Sequence, residues 1–262
     1  MTHTYWHKQT KDQPLYPDLL WSRPEHVAQA GKLLIIGGNA HGFAAAGEAY
    51  TEAGQAGIGT ARVLLPDSLQ KTVGKVFEAG EYAPSTPSGS FAQAALAEFL
   101  AMGQWADGTL LAGDFGRNSE TAILLEKFAS KYAGQLTLTK DAVDYFNHTP
   151  QTILDRPETT VALSFAQLQK LASAAKFPQA FTFDMDFLHL IDGLHDFTLQ
   201  HPAAIITKHL ATVFVALGGE VSTTKGVDTT EVWRVDTAAH AAVWRLQNAS
   251  KPFQALTTGI SS

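Results

Sequence analysis

Apolar and polar positions alternate in blocks along the chain, and the first clear block reads as strand, loop, helix, strand. Lys32 to Ile36 is a short apolar run ending in Gly37-Gly38, and Asn39, Ala40, His41 and Gly42 follow as a polar turn. Phe43 to Ala56 is rich in Ala, which favours helix. Gly57 and Gly59 end it, and Thr60 to Leu65 returns as a strand. Tyr82 to Phe91 holds two prolines, a glycine and several hydroxyls and predicts a loop without an element. Ala92 to Met102 predicts a helix, and Thr109 to Ala112 a strand that runs into Gly113-Asp114-Phe115-Gly116-Arg117-Asn118. Ser119 to Ala133 predicts a helix capped by Asn118 or Ser119 and closed by Gly134 as its C′ glycine.

Gln135 to Thr139 and Thr160 to Leu163 are the next strands. Ser164-Phe165-Ala166-Gln167 matches a capping box and opens a helix through Ala175. Phe187 to Gln200 has apolar residues at 187, 190, 191, 194 and 197, which is helical spacing. Ala203 to Thr207 predicts a strand, and Thr212 to Ala216 and Glu220 to Thr224 flank Gly218-Gly219 as a hairpin. Asp236 to Gln247 is the last clear helix, with Asp236 at its start as an N-cap.

The repeated strand–helix–strand unit predicts an α/β fold: a mostly parallel sheet covered by helices on both faces, in three layers. Ligands in such sheets bind at the carboxyl ends of the strands, where both glycine loops fall. Residues 1–30, with Trp6, Tyr16, Trp21, Pro14, Pro17 and Pro24, read as an N-terminal arm that packs its rings on the domain or on a second subunit, which would make a homo-oligomer. Residues 31–262 read as one α/β domain.

Composition narrows the function. The chain has 262 residues, a formal net charge of −6, 45% hydrophobic residues and no cysteine. The mild acidity argues against a nucleic-acid partner. The missing thiols exclude a disulfide framework, a thiolate metal site and a Cys nucleophile. No apolar run suits a membrane span and the N-terminus lacks the apolar core of a signal peptide, so a cytoplasmic protein is expected.

The loop at Gly37, Gly38, Asn39, His41 and Gly42 opens onto a helix N-terminus, an arrangement that points N–H groups at a phosphate or a nucleotide sugar. It lacks the spacing of a Walker A loop or of the dinucleotide fingerprint. In the second loop Arg117 can fork onto phosphate oxygens, and Asp114 can hold a metal or pair with Arg117. Lys140 and Asp141 follow a strand and either face the same crevice or form a solvated pair. Lys208 at a strand end reaches a phosphate or is simply exposed. Asp184, Asp186, His189, Asp192, His195 and Asp196 have the look of a metal cluster, but His189, Asp192 and Asp196 share the polar face of a helix, so no metal site is assigned.

The order of these pieces resembles the ADP- or ATP-dependent NAD(P)H-hydrate dehydratases, a branch of the ribokinase-like fold, over most of residues 31 to 260. The first block is similar to that family's strand, Gly-Gly-Ser loop and Ala-rich helix, and Leu111 to Arg117 to its Gly-Pro-Gly-Leu-Gly loop. Leu136 to Ala142 stands where the family ends a strand in Asp-Ala-Asp-Ala, with Asp141 and Ala142 matching. Ile205 to Thr212 resembles its Leu-Lys-Gly-x-x-Thr, with Lys208 and Thr212 kept and His209 in place of the glycine. Pro252-Phe253-Gln254-Ala255 is similar to its Pro-Phe-Glu-Ala, and counting back places Asp236 on the catalytic Asp of Gly-Thr-Gly-Asp. Here the glycines are replaced, and the chain reads Trp233-Arg234-Val235-Asp236. Val235 is β-branched and resists the backbone of a glycine anion hole, while Arg234 can supply charge instead. Ser164 and Gln167 take the His and Glu positions of the family's His-Pro-Gly-Glu stretch.

The resemblance implies a lyase that repairs hydrated NADH or NADPH by phosphorylating a ring hydroxyl and eliminating phosphate, using ADP or ATP with Mg²⁺. Asp236 is then the general base. Lys208, Thr212, Arg234 and Val235 lie on the nucleotide side, and Gly37, Gly38, Asn39, His41, Gly42, Gly113, Asp114, Gly116 and Arg117 on the side of the small-molecule substrate. Two alternatives stay open: a small-molecule kinase of the same fold, and a catalytically impaired nucleotide-binding homologue.

Overall fold

The computed structural model describes residues 3–74, 77, 79–226 and 233–261. Among them ten strands form one sheet: β1 (Trp6–Thr10), β2 (Lys32–Gly37), β3 (Thr60–Pro66), β4 (Gly80–Ala83), β5 (Gly108–Gly113), β6 (Gln135–Thr139), β7 (Thr159–Ser164), β8 (Ala204–His209), β9 (Thr212–Leu217) and β10 (Glu220–Lys225). Helices α1 (Asp18–Trp21), α2 (Ala44–Gln55), α3 (Gln70–Val73), α4 (Leu96–Trp105), α5 (Ser119–Lys131) and α6 (Asp141–Asp144) lie between them, followed by α7 (Gln151–Leu154), α8 (Phe165–Ala174), α9 (Phe187–Gln200), α10 (Trp233–Gln247) and α11 (Pro252–Gly259).

The spatial order is β1-β10-β9-β8-β7-β6-β5-β2-β3-β4. From β4 to β8 every pair is parallel, and β9 is antiparallel to both of its neighbours. The chain moves outward from β2 to β3 and β4, then returns to place β5 on the other side of β2. That reversal opens a crevice between the carboxyl ends of β2 and β5.

Side-chain alternation on the strands divides the core. Leu34 and Ile36 face a layer with Phe99 of α4, Leu124 and Phe128 of α5, Leu168 of α8 and Phe197 of α9. Leu33 and Ile35 face the other layer, built from Ala45, Ala49 and Ala53 of α2 and Ala238, Ala239 and Ala242 of α10. The alanine faces let α2 and α10 pack on each other as well as on the sheet, α10 lying across β5, β6 and β7.

Several elements differ from the sequence expectations. Tyr82 and Ala83 end a short strand, β4, which pairs with β3 alone at the sheet's edge, so the loop begins after them. Gly134 is not a C′ glycine. The chain leaves α5 extended at Tyr132, and a Cβ on Gly134 would lie 2.3 Å from Tyr132 Oη, so the residue is small because the ring passes over it. Arg156 closes α5 instead, donating to the carbonyls of Ala129, Tyr132 and Gly134. A second hairpin joins β8 to β9 through Leu210-Ala211, with Leu210 at φ 52° and no glycine to signal it. The expected hairpin between β9 and β10 turns on Gly218-Gly219, at φ 58° and 84°. Within residues 1–30, β1 pairs in parallel with β10, Trp6 packs beside Phe187, and Trp21 stays 88% exposed.

The acidic and histidine residues near α9 serve the fold. Asp186 caps the helix and pairs with His189, Tyr5 donates to Asp192 at 2.6 Å, and His195 stacks on Tyr5. Asn118 accepts from the N–H groups of Glu120 and Thr121 at the start of α5, and its amide donates to Ser88 at 3.0 Å. Replacing it with Ala should lower unfolding free energy by about 1–2 kcal/mol in denaturant titration. Asn118→Asp, which keeps the cap, should lose less.

Candidate functional site

The crevice is shaped by glycines that let β2 and β5 close up. A Cβ on Gly37 would lie 2.6 Å from the Gly113 carbonyl, and Gly113, at φ 110°, would drive a Cβ to 2.8 Å from that of Lys140. The Gly38 N–H donates to Gly113 O at 3.0 Å and the Asn39 amide donates to Asp114 O at 2.6 Å, so the two glycine loops are one hydrogen-bonded unit. Asp114 and Lys140 both hold positive φ, 59° and 53°, where a Cβ is disfavoured. Such backbone is held by surrounding contacts and concentrates at functional sites.

The first loop departs from the expected phosphate cradle. Asn39 N–H goes to Gly42 O, Ala40 N–H to Gly89 O, His41 N–H to Asn39 Oδ1 and Gly42 N–H to Asn39 O. The N-terminus of α2 already holds an anion of the chain's own: Asp114 Oδ2 accepts from Ala45 N–H at 2.8 Å. Asp114 Oδ1 takes Lys140 Nζ at 2.7 Å, so its ionic partner is Lys140 rather than Arg117. A ligand in this crevice meets side chains and carbonyls before backbone donors.

Asp141 sits below this pair. Its Oδ2 accepts from Gly116 N–H at 3.1 Å, while Oδ1 is buried with no hydrogen-bond partner. Burial pushes its carboxyl up, and neighbouring Asp114 adds to the shift. A cleft of about 490 Å³ opens beside it, lined by Gly116, Arg117, Asp141, Asp144, Tyr145 and Lys170. Arg117 and His41 are exposed at the surface.

The start of α10 lies earlier than expected. The helix begins at Trp233, so Asp236 is inside its first turn rather than at its N-cap. Val235 adapts to this: its side chain is buried in the alanine-rich layer, and a stiff β-branched residue suits a helix better than a glycine-type loop. The Arg234 carbonyl accepts from Thr139 Oγ1 at 3.2 Å, and its guanidinium donates to Gln167 Oε1 at 2.8 Å. Gln167 forms the expected capping box with Ser164, and its amide donates to Lys140 O and Asp144 Oδ2. Asp236 Oδ1 is buried with no hydrogen-bond partner.

Asp236 faces Glu48 of α2, a residue that sequence reasoning missed. Burial and then the facing Asp236 carboxyl push the Glu48 carboxyl up to about 7, with Lys140 pulling the other way. One turn along both helices, His240 Nε2 lies 3.4 Å from Glu52 Oε2. Acidic residues four apart on an otherwise small-residue helix were the available signal, but only the helix pairing gives them partners. Lys208 is half-buried at the carboxyl end of β8, and Thr212 begins β9 opposite His209. Asn39, Gly113, Asp114, Lys140, Ser164 and Lys208 thus mark the carboxyl edge of five neighbouring strands, with Asp236 in the helix above β5 to β7.

This architecture has known counterparts. A ribokinase-like superfamily protein from Enterococcus faecalis V583 superposes with a TM-score of 0.69 at 14% identity, covering 100% of this chain and 88% of that one. The fold is ribokinase-like. An ADP/ATP-dependent NAD(P)H-hydrate dehydratase from Bacillus subtilis, co-crystallized with ATP/Mg²⁺, superposes with a TM-score of 0.62 at 11% identity over 94% of this chain and 86% of that one. A phosphomethylpyrimidine kinase from Clostridium difficile 630 gives 0.52 at 8% identity over 87% and 97%. No protein-family model and no curated protein matches the sequence. Among the described residues, no helix is long and apolar enough to cross a membrane.

Asp114→Ala removes the anion from the α2 N-terminus and the partner of Lys140. It should lower stability by about 2 kcal/mol in denaturant titration. Asp114→Asn, which can still accept from Ala45 N–H, should lose about half of that.

Proposed function

We infer that the chain is an adenine-nucleotide-dependent enzyme acting on a hydroxyl of a small molecule, and that repair of hydrated NADH or NADPH is the reaction that fits best. The observation that carries the reading is Asp236: a carboxylate in the first turn of a helix above the crevice, with one oxygen buried and unpartnered. A general base needs an acceptor oxygen within reach of the substrate hydroxyl, and the first turn of α10 carries this carboxylate at the carboxyl edge of β5 to β7. The B. subtilis neighbour of the same fold supports the choice of nucleotide and reaction.

ADP or ATP would supply the terminal phosphoryl group and leave as the shortened nucleotide, and Mg²⁺ would steady the phosphates. The residues present fit both. Asp141, with its buried free oxygen, is the carboxylate suited to a Mg²⁺ that keeps phosphate and water ligands. Lys208, Thr212, the Arg234 guanidinium and the N–H of Val235 form the nucleotide side, near the positive end of α10. Asn39, His41, Gly42, Asp114, Gly116 and Arg117 form the acceptor side, with Gly37, Gly38 and Gly113 setting the width of the crevice. Asp236 would take the proton of the acceptor hydroxyl as its oxygen bonds the terminal phosphorus and the nucleotide's bridging P–O bond breaks; loss of the phosphate with a proton from the adjacent ring carbon would then restore the reduced nicotinamide ring.

A second reading, a kinase with another acceptor, is favoured by Gln167. Its amide is engaged by Lys140, Asp144, Arg234 and Ser164. A substrate that needs the family's His-Pro-Gly-Glu contacts would not find them there.

Thermal shift with ADP, ATP and NADPH, each with and without Mg²⁺, should raise the melting temperature with at least one adenine nucleotide. Recovery of NADPH from its hydrate should require that nucleotide, and Asp236→Asn should abolish turnover while leaving the thermal shift intact. Absence of both nucleotide binding and NADPH recovery ends the enzymatic readings. Binding without recovery leaves the kinase and the impaired nucleotide-binding homologue, which nucleotide turnover with other hydroxyl acceptors separates.

A further inference from the structure

Helices α2 and α10 start at the same edge of the sheet and pack along each other through alanines. Alanine faces bring the backbones close, so any longer side chain in the seam meets its opposite number. Four titratable residues occupy that seam. Glu48 and Glu52 are one turn apart on α2, and Asp236 and His240 are one turn apart on α10. Glu48 faces Asp236, and Glu52 faces His240 at 3.4 Å. Two carboxyls facing each other in a partly buried seam cannot both ionise without repulsion, and they relieve it by sharing a proton.

We propose that Glu48 is a positioning residue for Asp236: it holds a proton in the α2–α10 seam and donates it to the otherwise unpartnered Asp236 Oδ1, aiming the second oxygen of Asp236 into the crevice. The proposal rests on the role of Asp236 given above. It explains why a buried carboxylate oxygen lacks a donor among the heavy-atom contacts. A hydrogen on Glu48 is the donor nearest to hand, and an unsatisfied buried acceptor is costly.

The surroundings of the pair are mixed. Glu48 faces Asp236 from α10, Lys140 from the turn after β6, and Glu52 from its own helix. His240 faces Glu52 from α2, Asp236 from its own helix and Arg23 from the N-terminal segment, with burial holding its imidazole below the ordinary histidine range.

Linkage fixes the sign of the test. The Glu48 carboxyl is raised from 4.5 to about 7, so between those values the native state binds more protons than the unfolded chain. Stability from this group is complete below the unfolded value and is lost as pH rises through the native one. Melting temperatures of wild type, Glu48→Gln and Asp236→Asn should be compared from pH 4.5 to 9. The Glu48→Gln curve should gain on wild type through this window and lie about 2–4 °C above it at pH 8. A variant curve parallel to wild type overturns the shared proton.

The second readout is turnover against pH, in the recovery assay or in whichever phosphoryl transfer proves active. Wild type should lose kcat above pH 7 as Glu48 gives up its proton. Glu48→Gln, whose amide donates at every pH, should keep kcat within about threefold at pH 6 and lose that alkaline fall. Glu48→Ala should lose about tenfold in kcat with little change in the nucleotide KM. Equal loss in Glu48→Gln and Glu48→Ala would overturn the positioning role. A protein that turns over nothing but shows the melting signature retains the proton pair and loses the functional reading.

Discussion

Close approach of α2 and α10 is the constraint on which the site depends. Both helices present alanines to the sheet and to each other, from Ala45 to Ala53 on one and from Ala238 to Ala242 on the other. Larger residues would hold the axes apart, and interior packing leaves no gap to absorb the difference. With the axes close, Asp236 meets Glu48, His240 meets Glu52, and the start of α10 reaches the carboxyl ends of β5 to β7. The same face buries Val235, which fixes the first turn of α10 as helix where the resembling family has a glycine loop. One packing choice therefore determines both where the carboxylate sits and what kind of backbone presents it.

The second organising feature is the anion already in place. Asp114 occupies the N-terminus of α2 and holds Lys140, and both residues keep a backbone that non-glycine residues avoid. The strand-end glycines make this geometry possible, because Gly37 and Gly113 leave space for neither a methyl group nor a different register. The crevice is thus preorganised around a carboxylate–ammonium pair, not around a row of empty amides. A ligand that approaches Lys140 competes with Asp114 for it.

The parallel sheet, the long helices and the order of glycine loops were legible because period, small-residue composition and turn residues agreed over long stretches. Phe187 to Gln200 is observed at the predicted bounds, and Ser164 with Gln167 forms the predicted capping box. Short edge elements were hidden. β4 spans four residues beside two prolines, and β1 lies in a segment whose prolines read as irregular. Leu210-Ala211 turns a hairpin without the glycine that would announce it. The ionic pairs were illegible for another reason. Asp114 and Lys140 are partners because β5 and β6 are neighbours, and Glu48 and Asp236 because two distant helices share a seam. Sequence spacing carries neither fact.

The edge strand β1 has a consequence for how the molecule assembles. Its partner β10 lies more than two hundred residues downstream, and Gln9 donates both to Thr224 Oγ1 of β10 and, further on, to Thr257 O. β1 therefore has no partner until β10 has been made. Such pairing of high sequence separation forms late, after the interior sheet exists to receive it. Until then β10 is the sheet's open margin, and strand margins recruit foreign strands. Docking of the N-terminal segment covers β10 and moves the margin to the five-residue strand β1, so losing that segment would bare β10 in its place.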